Sequence, residues 1–239
     1  MNLQELRAYL DRLALSLERE DKRLLEARLE GLTSVFPFNE YEYMLTFLVD
    51  RRVIPFAEYE KLRHNYVSAN PYLDLFGLAP RIFGQVWGEA HLRDVDPRFR
   101  KPDRSLDPEH EGQYDLWLDG VRIEVKAARA INTKKRGDLV SKALHYRSKD
   151  PFWMNFQQLK LDICDVFVFI GVWVDEIVYW VMSNDEVKAS KYRSHQHRGG
   201  IEYQIGSTQK NIPEFEIYKT QANQLVKVIL RKGRRVARR

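Results

Sequence analysis

Cysteine is almost missing: Cys164 is the only one in 239 residues. A single thiol excludes an internal disulfide and any zinc site built from several cysteines. Its place beside the apolar run "VFVFIGVWV" predicts a small buried residue. Also missing is an apolar stretch long enough to span a bilayer. The first residues, "MNLQELRAYLDRLALSLERED", alternate acids and bases too densely for a signal peptide. Together these absences predict a cytoplasmic protein that does not engage a membrane. No internal repeat and no low-complexity linker is visible.

What is present is the composition of a globular chain, 44% hydrophobic and 31% charged, long enough to bury a good core. The net charge of +5 is unevenly placed. The last nine residues, "RKGRRVARR", carry six positive charges and no acid, which leaves residues 1–230 at about −1. Such an end is either a solvated tail or an arm that reaches phosphates.

Residues 1–92 read as helical. Leu3, Leu6, Leu10, Leu13 and Leu17 recur at helical spacing, as do Leu25, Leu29 and Leu32. Asn39 is placed to cap "EYEYMLTFLVDRR", and Pro55, Pro71 and Pro80 stand where further helices start. Residues 93–112 are rich in proline and charge and predict a loop. After the hairpin described next, helices are expected around "DLVSKALHYR" and "FWMNFQQLKL". Two buried strands, "DVFVFIGVWV" and "IVYWVM", follow, with a turn at Asp175 and Glu176. Ser183 and Glu186 form a capping box, "GIEYQI" predicts a strand, and "TQANQLVKVILRK" a last helix.

The stretch "GQYDLWLDGVRIEVKAAR" (112–129) carries the chemistry. Asp119-Gly120 predicts a two-residue type I′ turn, which would pair 113–118 with 121–126. Tyr114, Leu116, Leu118, Val121, Ile123 and Val125 then share one face. Gln113, Asp115, Trp117, Arg122, Glu124 and Lys126 share the other. On that face Asp115 falls opposite Glu124, where like charges repel unless one carboxyl holds its proton or the pair shares a cation. Oxygen ligation by two carboxylates suits Mg²⁺, and Lys126 lies on the same face to act on charge developing on a phosphate. A solvated hairpin face is the other reading of the same pattern. The E-x-K triplet occurs three times, at Glu20-Asp21-Lys22, Glu124-Val125-Lys126 and Glu186-Val187-Lys188. Only the middle copy has strand context and an opposed Asp.

Asp115, an eight-residue gap and Glu124-Val125-Lys126 on a hairpin resemble the PD-(D/E)xK nuclease superfamily, most closely its type II restriction endonucleases. Tyr114 stands where the motif has Pro. The resemblance implies an α/β fold with a central mixed β-sheet flanked by helices, restriction-endonuclease-like, with a helical N-terminal region. It implies Mg²⁺-dependent hydrolysis of DNA phosphodiester bonds. Asp115, Glu124 and the Val125 backbone carbonyl would bind the metal, Lys126 would act on the water or phosphate, and Glu89 would be an additional ligand. Residues 1–78 would dimerise or contact DNA, 79–230 would be the nuclease core, and 231–239 a basic tail. Lys134, Lys135 and Arg136 are expected to meet phosphates, and His195, His197 and Arg198 either read base edges or belong to an ordinary surface loop. The expected partners are double-stranded DNA and a second copy in a homodimer, with a cognate DNA methyltransferase encoded nearby. A repair or junction-resolving nuclease, and a non-catalytic DNA-binding protein on the same fold, remain the rival readings.

Overall fold

The computed structural model describes residues 3–32, 40–196 and 202–236. Asn39, His197 and Arg198 lie outside the described residues. Two compact units are present. The first combines residues 1–78, 131–150 and 173–176; the second combines 79–130, 151–172 and 177–239.

The leucine-rich segments of the first unit form α1 (Leu3–Ala14), α2 (Arg19–Glu30), α3 (Glu40–Asp50) and α4 (Phe56–Ala69). Leu6, Leu10, Leu25, Leu45, Leu48 and Leu62 are all buried, as the helical spacing requires. Buried Glu42 is offset by its neighbours: the Tyr59 hydroxyl donates to Oε1 at 2.6 Å, and Arg63 Nε donates to Oε2 at 3.1 Å.

In the second unit a wide π-helical stretch, Ile82–Trp87, runs directly into α5 (Gly88–Val95). The hairpin of β1 (Leu116–Leu118) and β2 (Val121–Arg129) follows. The short β3 (Ile131–Asn132) belongs to the first unit. The chain continues through β4 (Phe152–Leu159), β5 (Val166–Val172), β6 (Ile177–Ser183), α6 (Asn184–Lys188), β7 (Arg193–His195), β8 (Tyr203–Thr208), α7 (Ile212–Phe215), β9 (Lys219–Thr220) and α8 (Leu225–Val236).

The main sheet has the order β1-β2-β5-β6-β9. β2 and β5 are parallel and the other neighbours antiparallel. The expected α/β class with a mixed sheet is therefore present. Every residue of β5 is buried, as a strand without a polar side chain demands. β4, β8 and β7 form an antiparallel sheet.

The segment between the parallel strands departs from expectation. "FWMNFQQL" is strand β4, not a helix: Phe152, Met154 and Phe156 alternate inward while Trp153 and Gln157 are exposed. Its aromatic content and two-residue period outweigh the helical spacing of its remaining apolar residues. "DLVSKALHYR" is also not helical; it is a run of turns in which the Ser141 N–H donates to Asp138 Oδ1 at 2.8 Å. Short β9, on the sheet edge beside β6, has no signal in the sequence. Residues 231–236, expected in a basic tail, continue α8.

α8 packs on β2 through Gly233, where an added Cβ would lie 2.5 Å from Val121 Cγ2. Val121 is buried and cannot swing aside. Gly233→Ala is therefore expected to destabilise the protein by about 1–3 kcal/mol despite alanine's better helix propensity. Thermal melts check this, and adding Val121→Ala to the same chain should restore part of the loss.

Among the described residues no helix is long and apolar enough to cross a membrane.

Candidate active site

Asp119 and Gly120 both have positive φ, 45° and 90°, so the hairpin turns as its sequence requires. The register is Leu116↔Ile123, Trp117↔Arg122 and Leu118↔Val121. Pairing is shorter than expected and stops before Asp115. There the Asp115 N–H donates to the Ile123 carbonyl at 3.0 Å, one residue short of Glu124. The Asp115 carboxylate takes over what the strand gives up: its Oδ2 accepts the Val125 N–H at 2.7 Å. A side chain thus replaces a backbone carbonyl at the end of the ladder. Asp115 is held at the mouth of the hairpin, and the Val125 carbonyl lies beyond the last β1 pair.

Within the ladder the two faces separate as the alternation predicts. Leu116, Leu118, Val121, Ile123 and Val125 are all buried, and α5 comes close on that side, with Gly88 beside Val125 and Ala127. Tyr114, before the ladder begins, is buried too but meets Trp117 and Arg122 of the other face, against the expected alternation. The other face carries half-buried Asp115 and Lys126, with Glu124 only 4% exposed between them. Lys126 Nζ lies 2.6 Å from Glu124 Oε1. Burial pushes the Glu124 carboxyl up to about 7; the Asp115 charge adds to this, while the Lys126 and Lys160 charges oppose it. Burial also raises Asp115, against the Lys126 charge and the Val125 N–H. Glu89, half-buried on α5, is raised first by burial and then by the charge of Asp115. The Asp115 charge therefore acts on both Glu124 and Glu89.

No protein-family model matches the chain, and no curated protein matches it. The chemistry of the site rests on its own geometry.

Tyr114 has a structural part. Its hydroxyl donates to Asp107 Oδ2 at 2.8 Å, and Arg122 grips the same carboxylate through Nε at 2.8 Å. The loop before the hairpin is thereby fastened to it. Among the described residues no three carboxylate, imidazole or thiol groups converge closely enough to cage a metal ion. A cation here would be held by Asp115 and Glu124 together with water and substrate oxygens, which is how Mg²⁺ commonly binds.

The remaining candidates are dispersed. Lys134, Lys135 and Arg136 are exposed and belong to the first unit. His195 is exposed on β7, its ring 4.6 Å from that of Tyr203. Lys160, which follows β4, gave no signal in the sequence because its own segment read as helix. A cavity of about 550 Å³ lies in the first unit, lined by Arg7, Tyr41, His145 and Asp175 among others, and includes none of the acids above.

The other two E-x-K triplets lie on helices α2 and α6. Glu186 completes the Ser183 capping box and pairs with Lys232. Glu186→Gln is expected to lower the melting temperature and leave any nuclease activity intact, whereas Glu124→Gln abolishes activity. Parallel melts and plasmid-cleavage assays check both.

Proposed function

We propose that this chain is a Mg²⁺-dependent endonuclease that hydrolyses phosphodiester bonds in double-stranded DNA. The observation that carries this reading is the convergence of Asp115, Glu124 and Lys126 on one face of the hairpin, with both carboxyls raised by burial. An acid pair kept out of water beside a lysine costs stability, and a bound divalent cation offsets that cost. Asp115 and Glu124 would hold Mg²⁺, with the Val125 carbonyl as a further ligand; Glu89 does not converge with the two acids closely enough to join them. When bound, the ion would supply positive charge to the phosphate and acidify a coordinated water. Lys126 leaves Glu124 for the substrate, orients the attacking water and stabilises charge on the phosphate in the transition state.

The mixed sheet and the position of α5 support a restriction-endonuclease-like core. The strand-bearing connection between β2 and β5 is this chain's departure from it. Lys134, Lys135 and Arg136, with His195, His197 and Arg198, extend contact along the DNA. Cleavage of both strands at a palindrome calls for a homodimer with two acid sites.

The test is a digest of plasmid and phage DNA with Mg²⁺, with and without EDTA. Discrete, EDTA-sensitive bands are expected from a restriction enzyme. Selective nicking of branched substrates would assign the chain to repair instead. Binding without cleavage of any substrate would overturn the nuclease reading.

A further inference from the structure

β4 is not a regular strand. Phe156 pairs with Ile205 on β8, and the next pair is Leu159 with Tyr203, so β4 holds one residue more than its partner. The extra residue makes a bulge in which Gln158 has a φ of 58°, a left-handed conformation that disfavours any side chain. The Gln196 side chain accepts the Gln158 N–H at 2.9 Å and holds the bulge.

The bulge changes which residues face inward. Leu159, not Gln158, takes the buried place after Phe156, and Lys160 emerges directly beyond it, half-buried. Phe156 meets Phe169 edge to face at 5.0 Å, and Phe169 is the β5 register partner of Lys126. The inner face of β4 therefore lies over the row of the main sheet that carries Glu124 and Lys126. The charge of Lys160 favours the ionised forms of both Asp115 and Glu124. Among the described residues Lys160 makes no ion pair, and Glu124 is already engaged by Lys126. Lys160 therefore brings a second positive charge to the acids that is not tied up in an ion pair. Bulges beside active sites commonly serve to re-aim a side chain in this way.

From this geometry we propose that Lys160 is a second phosphate-binding cation of the acid site, meeting the same substrate phosphate as Lys126. The inference rests on the nuclease reading for its substrate and adds a residue that the E-x-K motif does not contain.

The test uses the full chain with Lys160→Ala and, as an isosteric neutral variant, Lys160→Met, beside Lys160→Arg. Oligonucleotide binding in Ca²⁺ is measured across a salt series, and single-turnover cleavage in Mg²⁺ at saturating protein. Both neutral variants should lower the slope of log affinity against log salt by about one. They should also slow cleavage by about 10–100-fold. Lys160→Arg should keep the slope and most of the rate, and all three should melt close to wild type. Folded neutral variants with unchanged slope and rate would overturn the proposal. If the wild type binds DNA but never cleaves it, the nuclease reading falls and the salt slope alone decides on Lys160. If it does not bind, both fall.

Discussion

Lys126→Ala is expected to slow single-turnover DNA cleavage by about 10²–10⁴-fold while leaving DNA affinity in Ca²⁺ nearly unchanged. The asymmetry follows from when the amine acts. In the free protein Lys126 is bound to Glu124, so its contribution to the phosphate is made mainly as charge develops in the transition state. Binding draws on many phosphate contacts, of which one is a small share. Asp115→Ala should also stop cleavage. It removes a negative charge near phosphate and frees the Val125 N–H, so metal-free binding should hold or tighten. Lys134→Ala combined with Lys135→Ala should behave oppositely, because both side chains are exposed and belong to the other unit. Affinity and its salt dependence should fall, with the saturated rate nearly unchanged. Gel-shift binding in Ca²⁺ beside cleavage in Mg²⁺ measures all of this. If Lys126→Ala loses binding and cleavage equally, Lys126 is a docking residue and the hydrolytic assignment fails.

The second large effect is a pH-dependent response to Mg²⁺. The Glu124 carboxyl, pushed up to about 7 by burial, keeps its proton in the folded protein at pH values where an unfolded glutamate has lost it. A raised folded-state pKa contributes stability that is fully present below the unfolded value. That stability is lost as pH rises through the folded value. The metal-free protein should therefore weaken between about pH 4.5 and 7 from this group alone. Mg²⁺ binds the carboxylate and competes with the proton, so it restores more stability on the alkaline side. At pH 8, with Mg²⁺ ~100-fold above its Kd, the melting temperature should rise by about 5 °C or more. At pH 5.5 proton competition weakens the apparent affinity about 30-fold, so the same concentration should raise the melting temperature by only about 2–3 °C. Glu124→Gln should remove the response at both values. Differential scanning fluorimetry with and without Mg²⁺ measures it. An equal rise at both pH values would show that Glu124 does not titrate against the ion.

These expectations depend on features that differ in how far the sequence discloses them. The β1–β2 hairpin is local: Asp119-Gly120 fixes the turn, and the turn fixes the register. Side chains then alternate with a period of two, so the apolar face and the Asp115, Glu124, Lys126 face follow without knowledge of the rest of the chain. The wholly buried β5 was legible for a similar reason, since an uninterrupted apolar run tolerates water on neither side. The capping box of Ser183 and Glu186 needs only four residues.

Other features depend on partners distant in the chain. β4 read as helix because residues 152–161 hold apolar side chains at both spacings; pairing with β8, some 50 residues on, selects the strand. The slip at Asp115 is another such feature, because a carboxylate that bonds the Val125 N–H lets the backbone leave the ladder early. Lys160 is the extreme case: its neighbourhood to the acids depends on a bulge, a second sheet and the edge-to-face contact of Phe156 with Phe169. Turn chemistry, alternation and apolar runs act within a few residues, so the sequence by itself determined the hairpin, its two faces and the identity of its acids and lysine. Burial of Glu124, the offset of Asp115 and the approach of Lys160 arise from surfaces brought together across the fold, because desolvation and charge act through space and not along the chain.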